Sequence, residues 1–359
     1  MRLIIRGQGR YQTAAMHLRA QLRIDGHNAM MVIVFWRADM QGKRWFVALL
    51  MLWCHAIAVA QEYPTRAVRM VVGFPPGGAN DILSRLVGAK LQERLGQAFI
   101  TDNKPGANAM IAAEYVARAA PDGYTLLVGA SGAMAFNPAL YDKLSYDPIK
   151  DFAPVTMVGA FPLFLAIHPG VEANNVRELI ALTRVRPGHF TYGTGSTPFQ
   201  LAVELFKSRH QLDIRHIPYK GSAPSVNALL GGEVSMTILD SPPLVPHIRA
   251  GKLRGLAVTA ARRAAVLPDV PTMAEAGMPD FEVALWTSLF APAGTSPVII
   301  KKLQTEIARL LQAPDVRERL ALLGIEASGM SADELALVLR QDIERWTRVA
   351  RSTGIRFTP

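Results

Sequence analysis

Short apolar runs alternate with stretches of helical periodicity along most of the chain. Residues 68–74 are almost continuously apolar, which is typical of a buried strand. In residues 81–95 the apolar positions form one helical stripe, which ends before Gly96. This alternation predicts open, mostly parallel sheets and therefore an α/β protein. Further strands are predicted at 98–102, 124–130, 163–168, 190–193, 214–219, 234–240 and 253–259, with helices between them at 176–185 and 199–208.

Two long helices are predicted near the end of the chain. Ser296 and Pro297 favour a helix start, because proline suits the first helical position. Ser331 and Glu334 have the spacing of a capping box, which opens a last helix that is predicted to run through Trp346. No stretch has the composition of a flexible linker, so two domains would be joined by ordered strands.

Residues 40–60 have the layout of a secretory signal peptide. A basic start at Lys43 and Arg44 precedes an apolar run, and the small residues at 58–60 form a cleavage pattern. An N-terminal membrane anchor is the alternative, although the apolar run is short for a membrane span. Residues 1–39 show no clear pattern, and a translation start at Met40 would make them an upstream extension that is not part of the native protein. We therefore expect an exported protein.

The global charge changes if the signal segment is removed. The formal net charge of +10 becomes +4, because residues 1–60 carry eight Lys or Arg and two Asp. A mild positive excess suits a small anionic ligand and does not require nucleic acid. The single cysteine, Cys54, lies in the signal segment, so the mature chain is expected to have neither a disulfide nor a thiol nucleophile.

Four predicted strands end in loops rich in Gly, Ser, Thr and Pro, at 75–81, 129–133, 193–197 and 240–243. In open α/β sheets, ligands collect outside the carboxyl ends of strands. Helix starts at this edge offer unpaired N–H groups to an anion, and glycine lets a ligand approach the backbone closely. Serine and threonine hydroxyls can donate to a carboxylate directly or through water. The loops therefore indicate a site for a small carboxylate.

Each feature also has a simpler structural interpretation. The Pro-Pro-Gly-Gly stretch at 75–78 can be a tight turn. Asp81 can cap a helix, or it can accept a hydrogen bond from a ligand amine or an ordered water. Asp240 can be a turn residue or a ligand contact.

Motifs for catalysis, phosphate binding and metal binding are absent from the sequence. The loop at 75–81 matches neither the dinucleotide fingerprint nor the P-loop, and the loops at 129–133 and 193–197 do not form a nucleophile elbow. The histidines after residue 60 do not form a pair with i, i+4 spacing. We therefore expect no catalytic residue, metal or cofactor, and no enzyme activity.

Several sequence motifs within residues 63–355, which is essentially the whole mature chain, resemble those of a known family. They include Phe-Pro-Pro-Gly-Gly-Ala-Asn-Asp-Ile at 74–82, Ala-Ala-Pro-Asp-Gly-Tyr-Thr-Leu-Leu at 119–127, His-Ile-Pro-Tyr-Lys-Gly at 216–221 and Leu-Pro-Asp-Val-Pro-Thr at 267–272. In these motifs the chain resembles the Bug proteins, the periplasmic solute-binding receptors of the tripartite tricarboxylate transporters.

The resemblance implies a type II periplasmic-binding-protein fold with a ligand cleft between two α/β lobes. Lobe 1 would comprise 61–162 and 284–359, and lobe 2 would comprise 163–283. The implied function is capture of a small carboxylate, an organic acid or an amino acid, by a monomer that delivers it to membrane permease subunits. A sensing role on a receptor kinase is the alternative, and a periplasmic hydrolase is less favoured. The implied ligand-binding residues are Phe74, Gly77, Gly78, Asp81, Ser131, Thr194, Ser196, Thr197 and Asp240, and residues 219–221 would lie close to the cleft.

The sequence departs from the family pattern at ligand-facing positions. Gln200 stands where histidine is common, Phe199 adds bulk, and Ser241 follows Asp240 where asparagine is common. The identity of the substrate therefore does not transfer from the resemblance. The loops contain no arginine, which agrees with binding through backbone groups and water rather than through a guanidinium clamp.

Overall fold

The computed structural model describes residues 63–355, and both the predicted upstream extension 1–39 and the predicted signal peptide 40–60 lie outside the described residues. Strands and helices alternate, as the apolar pattern predicts. The first elements are β1 Val68–Val72, α1 Ala79–Leu95, β2 Phe99–Asn103, a 3₁₀ turn Ala107–Ala109, α2 Met110–Ala117, β3 Thr125–Ala130, a π-helical turn Gly132–Phe136, α3 Asn137–Leu140, β4 Phe152–Ile167, α4 Val176–Val185 and β5 Thr191–Thr194.

The remaining elements continue the alternation and end in three helices. They are α5 Thr197–His210, β6 Arg215–Pro218, α6 Ser222–Leu230, β7 Met236–Asp240, α7 Ser241–Arg249, β8 Arg254–Val258, β9 Ala284–Pro292, α8 Pro297–Leu311, α9 Pro314–Leu322, β10 Glu326–Ala327 and α10 Ala332–Thr353. The predicted capping box is present, since the Ser331 side chain accepts from the Glu334 N–H and the Glu334 carboxylate accepts from the Ser331 N–H.

Strand β4 is shared by two sheets. Residues 152–162 of β4 pair with β9, whereas residues 163–167 pair with β7 and β8. The strand order is β2-β1-β3-β9-β4-β7-β5-β6, and β8 and β10 pair with β4 beside this path. The outer strands β1, β2 and β3 are parallel to one another, as are β5, β6 and β7, but β4 and β9 run antiparallel to their neighbours. The expectation of mostly parallel sheets therefore holds for the outer strands only.

The structure corrects the predicted elements at several points. Strand β4 begins at Phe152 rather than 163, and β9 was not predicted at all. The first part of β4 contains two prolines and has register shifts near 155 and 158, so its apolar residues do not alternate cleanly. Helix α1 begins at Ala79 rather than 81, and the last helix continues to Thr353 rather than ending at Trp346.

Thr259 joins the two segments that connect the sheets, through its hydroxyl and through backbone hydrogen bonds with Leu163 and Val283. Thr259 Oγ1 accepts from the Leu163 N–H at 2.9 Å and donates to the Val283 carbonyl at 2.5 Å. Leu163 is the residue at which β4 changes its partner strand, and Val283 immediately precedes β9. Thr259 is fully buried, so its hydrogen bonds to β4 and to the segment before β9 are shielded from water.

A core of aliphatic and aromatic side chains lies under both sheets. Its largest fully buried members include Phe136, Phe164, Tyr192, Phe206 and Phe290. Phe290 packs edge-on against Phe152, so β9 and β4 are held by ring contacts as well as by backbone hydrogen bonds. Within residues 63–355, none of the helices combines the length and apolar character that crossing a membrane requires.

Candidate functional site

A cavity lies between residues of both sheets, beyond the carboxyl ends of β1, β3 and β7. The cavity volume is about 30 Å³, room for about two water molecules, so a larger ligand enters only if the surrounding loops separate. All four small-residue loops singled out in the sequence contribute to its wall. Six of the nine predicted ligand-binding residues line it: Phe74, Gly78, Asp81, Ser131, Ser196 and Asp240.

The other three predicted residues lie in the same loops but do not line the cavity. Gly77, at a φ of 97°, donates its N–H to Asp81 Oδ2 at 3.0 Å. Thr194 Oγ1 lies 2.6 Å from His216 Nε2, and Thr197 Oγ1 donates to Asn137 Oδ1 at 3.2 Å. Their observed contacts hold the loops in place, and their role as ligand contacts stays a prediction.

Helix α1 points its N-terminus at the cavity. Gly78 is the N-cap residue and has no side chain to cap the first turn, although the Asp240 carboxylate accepts from the Ala79 N–H. Gly78, Ala79 and Asn80 all line the cavity wall. The first N–H groups of a helix have no partner within the helix, and the helix dipole adds positive potential there. This end of the cavity is therefore suited to an anion. Ser131, Ser196 and Ser222 add hydroxyl groups to the wall.

Asp81 is the structural anchor of the first loop. It is 4% exposed and lies in the first turn of α1, where both of its oxygens accept hydrogen bonds from Arg85, Asn103 or the Gly77 N–H. Burial by itself raises the pKa of Asp81, but the hydrogen bonds from Arg85, Gly77 and Asn103 outweigh it and hold the pKa below its ordinary value. Of the two interpretations open from the sequence, a structural role in the helix start agrees with these contacts, although Asp81 is not the N-cap residue itself.

We expect Asp81→Asn to lower the free energy of unfolding by about 1–2 kcal/mol at pH 7, because an amide replaces a carboxylate that accepts from a guanidinium. Folding lowers the pKa of Asp81, so its stabilisation is present above the unfolded pKa of about 3.9 and is lost as pH falls through the folded pKa. The difference in free energy of unfolding between wild type and variant should therefore be smaller at about pH 3 than at pH 7. Urea denaturation at both pH values measures it.

Glu93→Gln is the control for this substitution. Glu93 lies on the same helix and pairs with Lys90 at 3.2 Å, but its side chain is 63% exposed. Exposed pairs of this kind contribute little, so the control should change stability by less than about 0.5 kcal/mol. Equal stability of Asp81→Asn and wild type at pH 7 would contradict the anchoring role.

Asp240 differs from Asp81 in having no cationic partner. It is 2% exposed, and its Oδ2 accepts from the Ala79 N–H at 3.0 Å, which links the end of β7 to the start of α1. Its Oδ1 is buried and has no hydrogen-bond partner. Burial raises the pKa of Asp240, and hydrogen bonds from Ser222 and the Ala79 N–H offset this only in part. An unsatisfied acceptor of this kind has a free-energy cost unless a bound group satisfies it.

The rest of the cavity wall is apolar, and most of it was not predicted. Phe161, Leu285 and Trp286 come from β4 and β9, and Pro198 and Phe199 come from the start of α5. The small-residue loop that follows β9, at 293–296, lies at the far end of the strand from Trp286, so it could not have identified Trp286. Ser222 lies directly after residues 219–221, which the resemblance places near the cleft. That placement could have identified Ser222 as a cavity residue.

Close backbone approaches at the cavity depend on residues without side chains. A Cβ added to Gly132 would lie 3.1 Å from Pro198, and one added to Gly195 would lie 2.1 Å from the Gly221 carbonyl carbon. The first contact joins the β3 loop to α5, and the second joins the two loops that follow β5 and β6. The glycines therefore let these loops come close enough to share one cavity.

Among residues 63–355, no group of three or more His, Asp, Glu or Cys side chains is arranged to hold a metal ion. The cavity wall contains no histidine, lysine or arginine. The polar groups that the site offers thus include backbone N–H groups, hydroxyls and the carboxylates of Asp81 and Asp240. Both oxygens of Asp81 already accept hydrogen bonds within the protein.

Comparison with known proteins agrees with this geometry. Residues 83–355 match the family model described as the tripartite tricarboxylate transporter family receptor. The chain belongs to the tripartite tricarboxylate transporter receptor family. Protein BugT of Bordetella pertussis is 39% identical over 301 residues, which cover 83% of this chain and 92% of that protein.

Two solved structures of similar receptors contain small dicarboxylates. The Rhodopseudomonas palustris protein Rpa4515 with adipate has a TM-score of 0.80 and 39% identity, and the match covers 82% of this chain and 99% of that one. MatC from the same species, with bound malate, has a TM-score of 0.77 and 34% identity over 80% of this chain and 99% of that one. This receptor-family chain therefore has the two-lobed fold of periplasmic solute-binding proteins, as the resemblance implied.

Proposed function

We propose that this receptor captures a small carboxylate in the periplasm and delivers it to the membrane permease subunits of a tripartite transporter. The observation that carries the proposal is the convergence of four small-residue loops and the N-terminus of α1 on one cavity. Backbone N–H groups and hydroxyls at that point can bind a carboxylate without any guanidinium. The carboxylates in two similar receptor structures support the same ligand class.

We further propose that ligand binding closes two lobes, with 61–162 and 284–359 forming the first and 163–283 the second. The change of partner strand at Leu163 and the return into β9 at Ala284 support these boundaries. The direct contact between Asp240 and the Ala79 N–H supports a closed arrangement, because it joins a residue of each proposed lobe. A ligand favours closure only as far as it binds the closed state more tightly than the open one.

A panel of organic acids and amino acids tests the proposed function by thermal denaturation. At a concentration 100 times its dissociation constant, a true ligand adds about 2.7 kcal/mol to the free energy of unfolding, and the melting temperature should rise measurably. The same acids as methyl esters are matched controls that lack the carboxylate. If no acid shifted the melting temperature, or if esters acted as well as acids, carboxylate capture would be wrong.

The periplasmic location rests on the signal-peptide pattern at 40–60, which the described residues do not include. Export would place the cavity on the side of the membrane where external solutes arrive. Mass spectrometry of the mature protein should find an N-terminus close to residue 61.

A further inference from the structure

Two N–H groups at the entry to α1 already donate to carboxylates of the protein itself. The Gly77 N–H donates to Asp81 Oδ2 and the Ala79 N–H donates to Asp240 Oδ2, both at 3.0 Å. A ligand carboxylate that binds at this end of the cavity therefore lies beside Asp240. The two anionic groups must share one small set of donors.

Asp240 has one oxygen that is free to carry a proton. The residue is 2% exposed and lines the cavity, and its Oδ1 has no hydrogen-bond partner, whereas its Oδ2 accepts from the Ala79 N–H. An ionised carboxylate would leave Oδ1 without a donor in a place that is closed to water. A carboxylic acid with its proton on Oδ1 instead offers a donor of its own.

No cation in the wall compensates a second negative charge. The titratable residues that line the cavity are Asp81 and Asp240, and Asp81 is already paired with Arg85 at 2.9 Å. The stretches of β3, β4, β9, α5 and α6 that complete the wall contain no titratable side chain. The titratable residues just before α6 and in the last turn of α7 do not line the cavity; they are Tyr219, Lys220, His247 and Arg249.

Two carboxylates that are close together and lack a cation do not both stay ionised, because sharing one proton removes their repulsion. Asp240 is the group that takes this proton. Burial already raises the pKa of Asp240, and a ligand anion beside it acts in the same direction. The ligand carboxylate keeps its charge, because the hydroxyls of Ser131, Ser196 and Ser222 in the wall can donate to it.

Resting on the proposed function, we propose that Asp240 takes up one proton from the solvent when the lobes close on a carboxylate, and that its Oδ1–H then donates to a ligand oxygen. Before closure Asp240 faces water and is ionised at neutral pH. After closure the Ala79 N–H still donates to Oδ2, and Asp240 and the ligand group together carry one negative charge. Mono- and dicarboxylates are treated alike, since Asp240 acts on a single carboxylate group.

Isothermal titration calorimetry with adipate, malate, succinate, glutamate and benzoate tests this coupling. The pKa of Asp240 is higher in the complex than in the free protein, so affinity is greatest at low pH and falls as pH rises towards the pKa in the complex. For the acid that binds most tightly, Kd should increase by about tenfold or more from pH 6.5 to pH 8.0, where the ligand carboxylates stay ionised. Titrations at pH 7.0 in MOPS and in imidazole, two buffers of different ionisation enthalpy, should give an uptake of about one proton per ligand.

Asp240→Asn imitates the protonated acid, because its amide oxygen can accept from the Ala79 N–H while its NH₂ group donates to the ligand. Its Kd should hardly change over the same pH range and should be about tenfold or more below that of wild type at pH 8.0. Asp342→Asn is the matched control. Burial also raises the pKa of Asp342, but this residue does not line the cavity, so the variant should keep the pH dependence of wild type.

Three results would overturn the inference while leaving carboxylate capture intact. They are a proton uptake near zero in wild type, a wild-type Kd that does not change with pH, and weaker binding by Asp240→Asn than by wild type at pH 8.0. The two wild-type results decide the matter even if Asp240→Asn does not fold. If none of these acids and none of the wider panel bound at any pH, carboxylate capture itself would be wrong.

Discussion

Gly195→Ala should weaken ligand binding by about 100-fold or more while the protein still folds. The added Cβ would lie 2.1 Å from the carbonyl carbon of Gly221 and 2.3 Å from its oxygen, which are backbone atoms that no rotamer change can move away. The loops after β5 and β6 must therefore separate, and they carry Ser196 and Ser222 into the cavity wall. Loss of two hydrogen bonds to a charged group, at about 1.5–3 kcal/mol each, accounts for a change of this size.

Calorimetric titration with the best acid of the panel measures the effect, and circular dichroism checks the fold. Gly231→Ala is the matched control in the same half of the molecule. Gly231 has a φ of −79°, and its added Cβ would have no neighbour closer than 3.5 Å, so binding should be unchanged. Wild-type affinity in Gly195→Ala would show that the two loops do not form the ligand site.

Trp286→Ala should lower the free energy of unfolding by about 3–5 kcal/mol, the usual cost of removing a large aromatic side chain from a core. Trp286 is 4% exposed, and its indole N–H donates to Asp342 Oδ2 at 2.7 Å, so the side chain connects β9 to the last helix. Burial raises the pKa of Asp342, and the bond from Trp286 partly offsets that rise. The alanine variant leaves this half-buried carboxyl without its donor.

Urea denaturation followed by circular dichroism measures this loss. Leu337→Ala is the control on the same last helix, because Leu337 is 57% exposed and its removal should cost less than about 0.5 kcal/mol. Trp286→Phe should fall between the two, since it keeps a ring but loses the N–H. A loss below about 1 kcal/mol in Trp286→Ala would contradict the packing role, because cavities of this size are seldom refilled by relaxation.

The outer parts of the fold were predictable because their residues obey one simple pattern. Strands β1, β3 and β7 are mostly apolar runs, and each ends in a loop of small residues that the structure brings to a common cavity. A parallel strand buried on both faces leaves this signal in the sequence itself. The capping box at Ser331 is equally local, so it too could be recognised without any knowledge of the tertiary structure.

The central strands could not be predicted in the same way. The register of β4 on β9 shifts near 155 and 158, and such shifts break the alternation that marks a strand. Trp286 and Phe161 enter the cavity from these strands, so the apolar wall was missed along with them. The sequence identified Asp240 as a site residue. It could not show that Asp240 Oδ1 lacks a hydrogen-bond partner, because this depends on the tertiary arrangement.

The hydroxyl of Thr259 has a consequence for motion. Together with the backbone hydrogen bonds of Thr259, it holds Leu163 and Val283 at a fixed spacing, next to the ladder pair of Pro162 and Ala284. Two connections held at constant spacing resist sliding and twisting but still allow a swing about the line through them. If a ligand closes the lobes as proposed, we therefore expect the motion to be a rotation about this one axis, whichever ligand binds.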